Sequence, residues 1–361
     1  MAGGRRRRRW MWPVAALAAV TALGLLPPVQ ARGKAMAVLA EAVGLNFPRP
    51  FAPTVDRREA TLDGVTGDLY VPARRSPPIL LVLGAAQQGT DDPRAVRLAR
   101  SLARAGRVVF VPDLTLAQRR FDPADLDRIA RSVVALDEHP GTSGRVVVLG
   151  ISYGGSFALV ASADPRVRDR VDRVAVFGAY WDLIGVIQAV TTGVSIAGGG
   201  SLPWESHPMA RDILVHHAAE LAPPPDRVSL RAALGGGDPS QLSPEARAIF
   251  DLLTNRDPAR VEELAARLAP EARSVLERFS PSSVAGAIET PVVAMHSTDD
   301  PAVPYGEALR LRAGLAGTQL ITVRSFRHVD FRADAPGGWG SALADLWDAW
   351  RFASLVLDPG E

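Results

Sequence analysis

The segment Val146-Val147-Val148-Leu149-Gly150-Ile151-Ser152-Tyr153-Gly154-Gly155 constrains the chain more than any other. Its apolar, mostly β-branched opening reads as a strand buried on both faces, and Ser156-Phe157-Ala158-Leu159-Val160 behind the glycines reads as a buried helix. Only a tight turn separates the two. Glycines two residues on either side of Ser152 let the backbone reverse sharply and let strand and helix approach closely. The Ser152 hydroxyl is then presented at the carboxyl edge of a sheet, beside a helix amino terminus. A glycine-rich turn with no chemical role is the plain alternative, and the pentapeptide by itself does not separate the two.

The same rhythm runs through much of the chain. Strand-like runs at residues 56–62, 66–71, 79–83, 108–111, 146–149, 174–177, 292–296 and 320–323 alternate with segments of helical period. Asp92-Pro93 and Asp122-Pro123 each pair an N-cap acid with proline at the first helical position, which predicts helices over 94–105 and 124–137. The pattern predicts an α/β fold: a mostly parallel central sheet of about eight strands, entered by a hairpin, with helices on both faces. Between residues 182 and 290 the alternation stops. Helical stretches, a turn at Gly198-Gly199-Gly200, a run Pro223-Pro224-Pro225 and a helical segment over 252–279, with new starts after Asp257 and Ala269, predict an inserted helical lid. A separate helical domain is the competing reading. The core then consists of residues 55–181 and 291–361.

At the amino terminus, Arg5 to Arg9 form a basic head, residues 10–26 an almost unbroken apolar run, and Pro27-Pro28-Val29-Gln30-Ala31 a helix-breaking tail with small residues at cleavage-type positions. Residues 1–31 are expected to act as a secretory signal peptide, or, because the run is nearly long enough to span a bilayer, as a retained membrane anchor. A mistaken start or a buried helix competes with both. Under either membrane reading the arginines stay in the cytoplasm and the rest of the chain is exported, whether secreted, periplasmic or tethered. Residues 32–54 are expected to be a linker, with a short amphipathic helix over 35–43.

Charge and composition remove several function classes. The formal net charge is +2, and without the five leading arginines about −3 remains, so a basic nucleic-acid-binding domain is disfavoured. With no cysteine, disulfides, thiolate metal sites and thiol catalysis are excluded.

A serine hydroxyl needs a base to take its proton and a carboxylate to hold that base. Both follow Ser152 in order. Strand 292–296 ends in Ser297-Thr298-Asp299-Asp300-Pro301-Ala302-Val303-Pro304, and strand 320–323 is followed by Ser325-Phe326-Arg327-His328. The ends of neighbouring strands converge at one edge of an open α/β sheet. Asp299 and Asp182 compete with Asp300 for the acid. Of the other histidines, His139 and His296 read as capping or packing residues at element ends, and His207, His216 and His217 fall in the lid. His216-His217 with Glu220 suggests a metal only weakly, since no third ligand is indicated.

On these residues the chain resembles the α/β-hydrolase superfamily, in the manner of serine esterases, dienelactone hydrolases and the catalytic domains of prolyl oligopeptidases. The family's order is Ser, then Asp, then His, and its acid often lies in an H-G-x-x-D-x-x-V-P stretch. His296 to Pro304 matches that stretch, with Ser297 in place of the glycine. The resemblance implies Ser152 as nucleophile, Asp300 as orienting acid and His328, which lacks the family's usual preceding glycine, as base. It also implies an oxyanion hole of the Tyr153 N–H and, by position, Ala85, with Gln87 or Gln88 as side-chain candidates in a loop where Leu83-Gly84 replaces the usual His-Gly. The implied activity is hydrolysis of a carboxylic ester or related acyl bond through an acyl-enzyme. The implied substrate is a small acyl compound, with no metal or redox cofactor and no nucleic acid. A peptidase, thioesterase or acyltransferase would use the same residues, although no propeller repeat precedes the domain. A non-catalytic envelope binding protein on the same fold remains the reading from a different class.

Overall fold

The computed structural model describes residues 27–42, 44, 54–86, 88–331 and 338–357. The basic head and apolar run, and with them the signal or anchor reading of residues 1–26, lie outside the described residues. Strands β1 (Asp56–Leu62) and β2 (Val65–Val71) form the antiparallel entry hairpin. β2 also pairs antiparallel with β4 (Val108–Pro112). β3 (Pro78–Val82), β4, β5 (Val146–Ile151), β6 (Val171–Phe177), β9 (Val292–Ser297) and β10 (Gln319–Val323) run parallel to one another. The resulting 8-stranded sheet has the order β1-β2-β4-β3-β5-β6-β9-β10.

Every residue of β3, β4 and β9 is buried, because helices cover both faces of the sheet. Side chains alternate between those faces. Ile79, Leu81, Val109, Val147 and Leu149 point toward α1 (Pro27–Ala42), α2 (Pro93–Arg104) and α12 (Gly338–Leu357). Leu80, Val82, Phe110, Val146 and Val148 point toward α3 (Pro123–Asp137), α4 (Tyr153–Ser162) and the segment between β6 and β9. Each such side chain contributes about 1.5–3 kcal/mol on burial, so the two apolar layers hold the sheet edge that carries the candidate site. Asp92 and Asp122 cap α2 and α3 as their sequence predicts, accepting from Arg94 N–H at 2.8 Å and Ala124 N–H at 2.9 Å.

Two expectations are corrected. Pro27-Pro28 open α1 rather than breaking it, since proline is tolerated in a first helical turn, where its missing N–H would have no partner. In the stretch 32–54, expected to be a linker with a short helix over 35–43, that helix is found as the end of α1, but its Ala35, Val38 and Leu39 are buried in the core beneath α12 and α2, so it packs rather than links.

The segment between β6 and β9 contains α5 (Leu183–Thr192), a hairpin of β7 (Val194–Ala197) and β8 (Gly200–Pro203), and α6 (Pro208–Leu221), α7 (Arg227–Leu234), α8 (Pro244–Thr254), α9 (Val261–Ala266) and α10 (Pro270–Arg278). Gly198 and Gly199 make the two-residue hairpin turn, both with positive φ (59° and 78°) as its twist requires. In the helical segment expected over 252–279, new pieces begin at Pro258 and Pro270, the starts expected after Asp257 and Ala269, because proline cannot donate into a preceding turn. Leu183, Val186, Leu230, Ile249, Leu276 and Phe279 join the core on the α3–α4 side, so the insertion packs onto the main domain. Among the described residues no helix is long and apolar enough to cross a membrane.

Candidate active site

Ser152 follows the buried strand β5 directly and precedes α4, in the strained conformation φ 56°, ψ −136°. A non-glycine residue holds such a backbone only where its surroundings over-determine it. They do so here: Ser152 N–H donates to the Phe177 carbonyl at 2.7 Å, and the Ser152 carbonyl accepts from Gly155 N–H at 2.8 Å. The flanking glycines are required by contact. A Cβ on Gly150 would lie 2.4 Å from Gly155 Cα, and one on Gly154 would lie 2.5 Å from the Val82 carbonyl oxygen.

Asp300 lies in the loop after β9 and is 1% exposed. Its Oδ1 accepts from Ala302 N–H at 2.8 Å and Val303 N–H at 2.9 Å, so the turn Pro301-Ala302-Val303 cradles the carboxylate. Its Oδ2 lies 2.7 Å from His328 Nδ1. His328 opens the two-residue turn between β11 (Phe326–Arg327) and β12 (Asp330–Phe331), and its φ of 59° places a second strained residue at the site. Because Asp300 accepts, Nδ1 carries the proton and Nε2 of the neutral ring keeps its lone pair.

Burial opposes charge on Asp300. The charge and hydrogen bond of His328, together with His296 and the Val303 N–H, outweigh that and hold its carboxyl below the ordinary value. Burial likewise pushes His328 down, but Asp300 pushes it up more strongly, so the imidazole titrates above a free histidine. His296 goes the other way. Burial dominates and lowers its pKa, and its Nε2–H is donated to the Val303 carbonyl at 3.0 Å while lying 3.6 Å from Asp300 Oδ2. His296 therefore packs behind the acid as a neutral group, which refines its expected packing role.

Ser152 and the His328–Asp300 pair both flank the carboxyl end of β6. The Phe177 carbonyl holds the Ser152 N–H, and a Cβ on the next residue, Gly178, would stand 3.0 Å from His328 Cε1 and 3.4 Å from Asp300 Oδ2. From the other side comes the loop after β3. A Cβ on Gly84 would lie 2.8 Å from Ser152 Cβ and 3.2 Å from Ser152 Oγ, so the loop that holds Ala85 passes the serine at Gly84. Tyr153 begins α4 with its backbone at the elbow, and its ring is buried against Tyr180 and Phe121 with centroids 5.1 Å and 5.8 Å away. Gln87 lies outside the described residues, and Gln88 is exposed in the turn that follows.

The competing residues are engaged elsewhere. Asp182 caps α5, accepting from Ile184 N–H at 2.8 Å, and accepts Ser282 Oγ–H at 2.5 Å. Asp299 is exposed beside Thr298. His139 accepts from Gly141 N–H at a helix end, and the His207 N–H donates to the Pro301 carbonyl. His217 stacks on Phe121 at 4.1 Å, and Glu220 is ion-paired with Arg227 at 2.9 Å and Arg231 at 2.6 Å. The side chain of His216 is outside the described set. Among the described residues no group of His, Asp and Glu could hold a metal ion.

Three features escaped the sequence. A cavity of about 490 Å³ lies between the insertion and the main domain, lined by Phe121, Tyr153, Leu183, Ile187, Ile213 and Phe279 among others, with Arg120, Glu220 and Arg227 on its polar side. Its lining includes Tyr153, the chain neighbour of Ser152, and does not include Ser152, Asp300 or His328. Trp204, just after β8, donates its indole N–H to the Asp300 carbonyl at 2.6 Å. Glu307, on α11 (Tyr305–Gly314), is 1% exposed, and its Oε2 accepts from Trp181 N–H at 3.0 Å and Asp182 N–H at 2.8 Å. The only sequence signal for these was the aromatic character of Phe121 and Trp204.

No known protein family matches the chain as a whole or in part, and no curated protein matches its sequence. Solved structures do match its fold. A Mycobacterium tuberculosis puromycin-hydrolyzing peptidase is similar over 86% of this chain and 40% of its own, with TM-score 0.52 and 17% identity. An α/β hydrolase, GrgF, from a Penicillium species is similar over 82% of this chain and 98% of its own, with TM-score 0.48 and 17% identity. A dienelactone hydrolase from Anabaena variabilis is similar over 83% of this chain and 97% of its own, with TM-score 0.46 and 15% identity. The sheet order and the likeness to the puromycin-hydrolyzing peptidase agree that the chain has the α/β-hydrolase fold.

Proposed function

We propose that this chain of the α/β-hydrolase fold is a serine hydrolase that cleaves a carboxylic ester carrying an apolar group, through a Ser152–His328–Asp300 triad and an acyl-enzyme. One observation carries the proposal: a buried carboxylate fixed by two backbone N–H groups holds His328 Nδ1 at 2.7 Å, at the corner where strained Ser152 is presented. In this reading His328 Nε2 takes the Ser152 proton as Oγ attacks the carbonyl carbon. The backbone N–H groups of Tyr153 and Ala85 receive the developing oxyanion. The His328 imidazolium, stabilised by Asp300, returns the proton to the leaving alcohol. Water activated by His328 then attacks the acyl-enzyme and releases the acid, restoring Ser152. The residues present require no metal or redox group for these steps.

The cavity beside Tyr153 supports the apolar part of the substrate. Its volume of about 490 Å³ and its Phe, Leu, Ile and Val lining suit a medium-sized apolar group, whereas a strongly charged one would lose hydration there. Peptide, thioester and acyl-transfer substrates use the same chemistry, and the ester is proposed because it demands least of the leaving group.

The test is labelling by a fluorophosphonate probe together with turnover of chromogenic esters of graded acyl length. The wild-type chain should label and turn over, and Ser152→Ala should do neither. Absence of labelling in the folded wild type, or labelling that persists in Ser152→Ala, refutes the assignment.

A further inference from the structure

Helices α1 and α12 pack against each other, and Trp350 on α12 donates its indole N–H to the Arg32 carbonyl on α1 at 2.9 Å. Six large apolar side chains are exposed among the described residues, and three of them sit on this helix pair: Met36 at 52%, Leu343 at 65% and Trp347 at 59%. Leu343 and Trp347 are four residues apart, hence one above the other on a single face of α12. The Trp347 ring lies 4.5 Å from that of Trp350, and Met36 stands one helical turn beyond Arg32. The two helices therefore share one apolar stripe. Most of the Leu343 and Trp347 surface lies outside the fold, and an exposed apolar face of this kind marks a surface to meet.

Two further observations say which surface. The apolar run of residues 10–26 ends at the residue before Pro27, where α1 starts, and Met36 follows about 13 Å along the helix at 1.5 Å per residue. Whatever medium receives the apolar run is thus within reach of the stripe. The stripe also has the composition of a membrane interface. Tryptophan provides a ring with a polar edge, Arg32 stands exposed where α1 meets Trp350, and the stripe's acid Asp348 is ion-paired with Arg351 at 3.0 Å.

We infer that the α1–α12 face seats on a lipid bilayer, with Met36, Leu343 and Trp347 in the headgroup layer. This inference does not depend on the hydrolase reading. It fixes an orientation: α1 and α12 cover one face of the sheet and the insertion the other, so the cavity beside Tyr153 is turned from the membrane toward water. The substrate then arrives from the aqueous side.

The absence of cysteine makes the test clean. The full chain carrying Leu343→Cys or Trp347→Cys, and as reference Val228→Cys on α7, 76% exposed within the insertion, is labelled with an environment-sensitive fluorophore. Each is reconstituted in vesicles of equal parts phosphatidylcholine and phosphatidylglycerol. Iodide in the buffer should quench the labels at 343 and 347 several-fold less than the label at 228, and bromine on the lipid chains should quench the first two and spare the third. Equal iodide quenching at all three positions overturns the inference, since the face then meets water. Protection from iodide without quenching by the brominated lipid also overturns it, because the stripe is then covered by protein, either residues 1–26 folded back or a second copy of the chain.

Discussion

Replacing Asp300 by asparagine tests the mechanism at its most determined point. Oδ1 of Asp300 accepts two backbone N–H groups, from Ala302 at 2.8 Å and Val303 at 2.9 Å. An amide nitrogen placed there would confront two donors and forfeit both bonds, at about 1–3 kcal/mol for each buried donor left unpaired. The asparagine must therefore keep its oxygen on the backbone and turn its NH2 toward His328 Nδ1, 2.7 Å from the atom it replaces. That nitrogen only donates, so Nδ1 must become the acceptor and the ring proton moves to Nε2. A His328 protonated at Nε2 cannot take a proton from Ser152. The fold is retained and the base is disabled, so kcat should fall by about 10⁴-fold, as expected when a triad histidine is held in the wrong tautomer, with KM little changed. Stopped-flow acylation with a chromogenic ester and the rate of fluorophosphonate labelling both report the step, and circular dichroism confirms folding. A loss of less than about tenfold would show that Asp300 does not set the tautomer of the base and would refute the reasoning.

Other expectations follow from the same geometry. Because Asp300 raises the pKa of His328, kcat/KM should climb with pH through a midpoint above the ordinary histidine value near 6.5, as the protonated, inactive base is lost; a pH–rate profile with its midpoint at or below that value contradicts the pairing. Gly84→Ala puts a methyl 2.8 Å from Ser152 Cβ and 2.9 Å from the Ile151 carbonyl oxygen, so displacement of the serine should lower kcat by about 10²-fold in the fraction that remains folded; unaltered kinetics would remove the loop after β3 from the site. Ile187→Trp fills the cavity and should cut kcat/KM about tenfold or more for the longer acyl esters while sparing acetate esters; a uniform effect across the chain-length series would show that the cavity does not house the acyl group.

Much of the fold was legible because its strands are buried on both faces and so read as continuous apolar runs. Ser152 was legible because close approach forces glycine at Gly150 and Gly154, and Asp300 because the following Pro301-Ala302-Val303-Pro304 builds the turn that holds it. His328 gave a fainter signal, since its two-residue strands β11 and β12 are too short to show alternation. The start of α1 was misread because proline both breaks helices and begins them, and only the packing of Ala35 and Val38 distinguishes the two. The cavity was invisible because its walls come from residues as far apart as Phe121 and Phe279, a contact that no local periodicity encodes. Glu307 in turn reads as a surface charge with Arg310 one turn on; the partners that bury it are backbone N–H groups 125 and 126 residues away.

Glu307 and Trp204 give the acid loop a second role. The Asp300 side chain faces His328, while its carbonyl accepts the Trp204 indole and the Pro301 carbonyl accepts the His207 N–H. A few residues on, Glu307 receives the N–H groups of Trp181 and Asp182, where the chain enters the insertion, and Gly185 on α5 has no room for a Cβ against the Glu307–Arg310 pair. One short stretch, Asp300 to Arg310, thus fixes the histidine on one side and both the entry and the hairpin exit of the insertion on the other. Burial raises the pKa of Glu307, and the backbone N–H groups and Arg310 only partly offset this, so its bonds are held at the cost of a strongly desolvated carboxyl. Such a cost is maintained where misplacement is worse. The insertion walls the cavity beside Tyr153, and a shift of its entry helix would move Leu183 and Ile187 relative to Ser152. The acid loop therefore sets the distance between the cavity lining and Ser152, which under the proposed function is the quantity that positional catalysis depends on.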